Sequence, residues 1–112
     1  MKIFAALRTV RDFERARLPF FGSIIDFDIV IDVGYAQETE KPLTLKQLLL
    51  IIPSSRTTVR RRLASLIAQG IVIARRNAND QRSTLLTISP SSVKLLGRYA
   101  GAITSAFTFP PD

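Results

Sequence analysis

The chain is 112 residues long, with 16 Lys and Arg against nine Asp and Glu. That length holds a single domain, residues 1–112, and with 46% hydrophobic residues it forms a packed core rather than a disordered tail. Cysteine and histidine are both absent, which removes disulfides, thiol redox sensing, Cys nucleophiles, His general bases and ordinary zinc sites.

The net charge of +7 is unevenly placed. Residues 1–52 are electrically balanced, and the whole excess lies in residues 53–112. Between residues 56 and 82 every cation is an arginine, and only Asp80 opposes them. A planar guanidinium matches phosphates and guanine edges better than a lysine point charge, so the anionic partner expected is nucleic acid. The longest apolar run, residues 48–52, stops at Pro53, far short of the ~18 residues of a spanning helix. The apolar run at residues 3–7 is shorter than the ~7–15-residue core of a signal peptide. The expectation is a cytoplasmic protein with no membrane partner.

In chain order, Ile3, Phe4, Leu7, Val10 and Phe13 recur at helical spacing with charged residues between them, predicting an amphipathic helix that stops near Leu18-Pro19. Residues 22–38 are ambiguous. Ile25, Phe27, Ile29, Ile31 and Val33 alternate with Asp26, Asp28 and Asp32 as in a strand, but Val30 breaks the alternation, and a helix here would be apolar nearly all round. Thr44 and Gln47 form a capping-box pattern ahead of a short helix over about 44–51. After Pro53, either Ser54 or Ser55 caps a second helix running to about Gln69, with Gly70 as its left-handed stop. Two short helices joined by a tight turn, residues 44–70, make a helix-turn-helix.

Around the second helix, Val59, Leu63, Leu66 and Ile67 gather on one face as core, while Thr57, Arg61, Ala64 and Ala68 lie nearly opposite with Thr58 and Ser65 beside them. Arg60 and Arg62 flank the core stripe, and the helix has no acidic residue. Small outward residues allow close approach to a groove, and arginines reach base edges and phosphates. The wing, residues 71–88, is read as a strand at 71–74 leaving through Arg75-Arg76, a loop over 77–81 and a strand from Ser83 to Ile88, with Leu86 and Ile88 facing inward. Ser89-Pro90 starts a last helix with Val93, Leu96, Tyr99, Ala100, Ile103 and Phe107 as its stripe, until Phe109-Pro110-Pro111 ends regular structure. The fold class expected is mostly α with a small β-hairpin: a winged helix-turn-helix with additional N- and C-terminal helices, 1–20 and 90–108.

At the hairpin the sequence resembles the multiple-antibiotic-resistance-regulator (MarR) family of bacterial transcription factors. The family's wing carries Asp-x-Arg, five residues, then Leu-Thr; here Asp80-Gln81-Arg82 is followed by residues 83–87 and Ile88-Ser89. Thr57-Thr58-Val59-Arg60-Arg61 and residues 66–70 are similar to its recognition helix, and residues 27–33 to a core helix of some members. That similarity, not periodicity, makes 22–38 a helix. The resemblance covers about residues 25–97; it departs at Pro53, where a glycine is common, and mildly at Ile88 and Ser89.

The resemblance implies a minor-groove role for Arg82, steadied by Asp80, and a homodimer; the terminal helices either form it or only cover the monomer's own core. It also implies DNA release on binding a small-molecule effector, which these residues do not identify. The function expected is sequence-specific double-stranded DNA binding by a dimeric regulator. Ser55, Arg56, Thr57, Thr58 and Arg61 lie at the reading end and face of the helix, and Arg60, Arg62, Arg75 and Arg76 hold phosphates. The alternative is a winged-helix module for protein assembly or RNA. Single-strand reading is disfavoured because the nine aromatics fall mostly in apolar stripes or at the termini. No enzyme is expected, and no cofactor or metal. Asp26, Asp28 and Asp32 have no accompanying ligand set, and their expected place is a solvated edge or beside arginines of the first helix.

Overall fold

A computed structural model describes residues 2–18 and 23–108 of the protein; the expected stop at Pro19, the start of the 22–38 segment at Gly22 and the Phe109-Pro110-Pro111 terminus lie outside the described residues. The chain runs α1 (Ile3–Arg17), α2 (Ile24–Glu38), α3 (Leu45–Ile51), α4 (Arg56–Ala68), β1 (Val72–Asn77), β2 (Asp80–Ile88) and α5 (Pro90–Ala106). This is a winged helix with a further helix at each end.

Local chemistry explains most of the boundaries. Ser23 starts α2 by accepting the Asp26 N–H at 3.1 Å. Thr44 and Gln47 close the capping box on α3 from both sides. Ser55, rather than Ser54, caps α4. Gly70, at φ +75°, ends α4, with its own N–H on the Ile67 carbonyl and the Ile71 N–H on Leu66; this paired arrangement needs a left-handed residue at that position. Ser89 caps α5, and Pro90 occupies its first turn.

The segment that alternated like a strand is the helix α2. Ile29, Val30, Val33 and Ala36 are buried at helical spacing, while Ile24, Ile31 and Tyr35 are exposed. It packs against α3, α4 and β2, so apolar residues on several sides replace a single stripe. Ile67 departs from its expected core place: α4 buries Val59, Leu63 and Leu66 but leaves Ile67 exposed.

The wing is longer and tighter than expected. β1 and β2 pair antiparallel from Val72 opposite Ile88 to Arg76 opposite Thr84, with a register shift between Arg76 and Asn77. The expected 77–81 loop shrinks to a turn at Ala78-Asn79, because the Asn77 side chain accepts the Asn79 N–H at 3.0 Å and folds the chain back at once. At the root, Leu86 donates its N–H to the Leu43 carbonyl at 2.9 Å and Thr44 bridges to Leu85.

α1 lies along α5. Phe13 stacks on Tyr99 with ring centroids 5.8 Å apart, and the Tyr99 hydroxyl donates to Glu14 at 2.5 Å. The molecule is elongated, 57 × 27 × 22 Å, with a radius of gyration of 16.0 Å against ~13 Å for a compact chain of about 100 residues.

Candidate nucleic-acid interface

α4 meets the rest of the domain through Val59, Leu63 and Leu66. Arg56, Thr57, Arg60, Arg61, Ala64 and Ala68 are exposed. No acidic side chain stands on this helix, and its alanines leave its middle low, so arginines rise around a shallow surface. At its N-terminal end the Ser55 hydroxyl accepts the Thr58 N–H at 3.2 Å and donates to Thr58 Oγ1 at 2.9 Å. These two residues therefore build the start of the helix, beside the exposed Arg56 and Thr57.

Arg62 differs from its expected place among the open cations. Its fork is turned inward, with Nε donating to Asp26 Oδ1 at 2.6 Å and Nη2 to Oδ2 at 2.5 Å. Asp26 is completely buried, so it is neither a solvated edge nor a partner of α1. The bond to Asp26, and then its charge, raise the Arg62 pKa further and keep it cationic. A buried carboxylate requires such a partner, and the bidentate geometry satisfies both oxygens at once.

On the wing, the strand expected to end at residue 74 continues through Arg75 and Arg76, and successive strand positions face opposite sides of the hairpin. Arg76 Nη1 donates across the hairpin to the Gln81 carbonyl at 2.6 Å. Arg82 projects into solvent with its side chain 95% exposed. Asp80 Oδ1 accepts the Arg82 backbone N–H at 3.0 Å and lies 3.6 Å from Arg82 Nε. Asp80 thus shapes the turn through the backbone, and its open ion pair adds little energy.

Sequence reading missed how α2 ties these parts together. Asp26 near its start holds α4, and Gln37 near its end accepts the Ile88 N–H of β2 at 2.7 Å. Partners 36 and 51 residues apart leave no periodic trace. Between α2 and α5 runs an open, mainly apolar groove of about 760 Å³, lined by Phe27, Val30, Ile31, Tyr35, Leu96 and Ile103 among others. Among the described residues no group of three or more acidic side chains could hold a metal ion, and no helix is long and apolar enough to cross a membrane.

No family model and no curated protein sequence matches the chain. Solved structures do match in fold. Apo wild-type MarR from E. coli has a TM-score of 0.63 at 16% identity, with 86% of this chain and 66% of that one covered. The transcriptional regulator Tm0710 from Thermotoga maritima gives 0.66 at 16% identity, covering 88% and 67%. A MepR–DNA complex from S. aureus gives 0.68 at 13% identity, covering 88% and 75%. The fold of this chain is therefore the MarR-type winged helix read from the hairpin residues, and the chain spans about two thirds of the length of the first two proteins.

Proposed function

We propose that the protein is a MarR-type transcriptional regulator that binds double-stranded DNA as a homodimer, with α4 in the major groove and Arg82 in the minor groove. The observation that carries this reading is the exposed face of α4: Arg56, Thr57, Arg60 and Arg61 around small residues, without an acid, flanked by a wing with Arg82 at its open end. Arg56, Thr57 and Arg61 address base edges, where a bidentate arginine discriminates by ~1–3 kcal/mol. Arg60, Arg75 and Arg76 hold phosphates, which fix position and carry no sequence information. Arg82 enters a narrow minor groove, whose negative potential favours a guanidinium.

The homodimer reading is supported by Ile3, Phe4 and Leu7, exposed apolar side chains of α1. A twofold dimer reads half-sites about one helical turn apart, ~10 base pairs, or a multiple of it. The α2–α5 groove falls within the ~300–1,000 Å³ of small-molecule sites and is the place for an effector.

The test is fluorescence anisotropy of labelled duplexes, random against genomic upstream fragments, at two salt concentrations. Fragment-selective binding that survives ~150 mM salt is expected. Weak binding, equal for all duplexes and lost at that salt, sinks the reading. Arg61→Ala is expected to lose discrimination, and Arg76→Ala to weaken all duplexes equally with the salt slope lowered by about one. Equal losses on selected and random DNA in both variants remove this division of roles.

A further inference from the structure

We infer that Asp26 is a specificity-determining positioning residue: by gripping Arg62 from α2 it sets the rotation of α4, and with it the side chains α4 presents to base edges. The inference rests on the DNA-binding reading above.

Asp26 is the one buried charged residue among the described residues. Stability alone does not require it, since well-packed apolar side chains in place of a buried ion pair are commonly as stable. What the pair adds is direction. The packing of Val59, Leu63 and Leu66 against the core is apolar and non-directional. A guanidinium fork on two carboxylate oxygens, at 2.6 and 2.5 Å, is tied to one orientation. Asp26 is itself fixed, because it lies in the first turn of α2 with its N–H on the Ser23 hydroxyl.

The size of the effect follows from helix geometry. A ~20° rotation moves an atom on the helix surface, ~5–6 Å from the axis, by ~2 Å. A hydrogen bond of ~3 Å does not survive such a shift. Arg61 precedes Arg62 directly, so loosening the fork moves the exposed face as a unit. The Gln37 bond to β2 at the other end of α2 means the wing shares the same frame.

The experiment is a double-mutant cycle of Asp26→Asn and Arg62→Gln, measured as affinity for a selected duplex over a random one across a salt series. Each single variant is expected to lower the ratio about tenfold, the cost of roughly one misread base pair. The double variant is expected to be no worse than either, because the two residues act as one unit. The slope of affinity against salt stays unchanged, as no phosphate contact is lost. An undiminished ratio in Asp26→Asn overturns the inference, and so does an equal loss on both duplexes. A salt slope lowered by about one in Arg62→Gln alone also overturns it, since Arg62 is then a phosphate contact.

Should Asp26→Asn not fold, Arg62→Lys, which keeps the charge and loses the fork, carries the same comparison. The chain has no cysteine, so spin labels at Ile31→Cys and Ala64→Cys report the α2–α4 distance without DNA. Asp26→Asn is expected to broaden that distribution, and an unchanged distribution overturns the inference. If the wild type shows no DNA selectivity, the DNA reading fails by itself, and the spin-label distances still decide whether Asp26 holds α4.

Discussion

In the part of the molecule made by α2, α3, α4 and the wing, Ile29, Val33, Leu48, Val59, Leu66 and Leu86 are sealed from solvent. In the α1–α5 pair the buried apolar side chains are only Ala6, Val10 and Tyr99, and Phe4 is 81% exposed. The first part closes on itself through apolar interdigitation and two long-range bonds from α2. The second adds Val10 and Tyr99 to the margin of the same core and joins its two helices with a ring stack and a hydroxyl–carboxylate bond, with apolar surface left over. On the function proposed above, a reading surface gains from a rigid support, and helices that pair with another copy keep apolar surface outside.

The contrast is sharpest in a matched pair of truncations. Leu66→Ala is expected to cost ~2–5 kcal/mol in urea unfolding, because the cavity it leaves cannot collapse. Leu7→Ala, on the half-exposed side of α1, is expected to change the monomer by less than ~0.5 kcal/mol. Equal costs would break the distinction. Phe4→Asp comes next: self-association, followed by sedimentation, is expected to weaken by ~2 kcal/mol or more, as on loss of an aromatic anchor. The monomer's melting stays almost unchanged.

Tyr99→Phe is expected to cost ~1–2 kcal/mol at neutral pH by removing the hydroxyl bond to Glu14. Burial first, then the bond to the Glu14 carboxylate and its charge, push the Tyr99 pKa from 10.0 up to about 12. The folded state thus favours the protonated phenol. Its contribution is complete below pH 10.0 and is lost as pH rises through about 12. An alkaline unfolding curve should show this loss in the wild type and not in Tyr99→Phe.

The smallest effect is Asp32→Asn. Desolvation, and then the like charge of Asp28 one turn earlier, raise the Asp32 pKa above its ordinary 3.8. The folded state therefore prefers Asp32 protonated, and its ionised form is a cost at neutral pH. The variant is expected to gain ~0.2–0.5 kcal/mol there, with the gain vanishing below pH 3.8. Denaturant midpoints at the two pH values check it.

The sequence made legible what short-range chemistry decides. Thr44 with Gln47, Ser89 with Pro90, and Gly70 each mark a helix end through bonds to neighbouring backbone, so those boundaries follow from adjacent residues. The exposed arginines of α4 follow from its periodicity. Two features were not legible, and a third, the helix α2, was legible only through the resemblance of residues 27–33 to a core helix and not through its pattern. The α2 segment, apolar on several sides, shows no helical stripe, and its strand-like alternation is a coincidence of aspartate placement. Ile67 fits the apolar arc of α4 yet lies beyond the reach of the core. The fate of Arg62 depends on Asp26 in another helix, and nothing in either local stretch marks the two as partners.

The wing is held unequally along its length. Its root is fixed by Gln37, Leu43 and Thr44, with Val72, Leu86 and Ile88 buried beneath it, while residues 78–82 are exposed. Exchange of the tip side chains therefore leaves the core and the root bonds untouched, within the small effects of most surface substitutions. A lineage carrying this fold can alter what its wing prefers to touch while the thermodynamic threshold for folding stays where it was. Retuning the wing and preserving the scaffold become separate problems for selection.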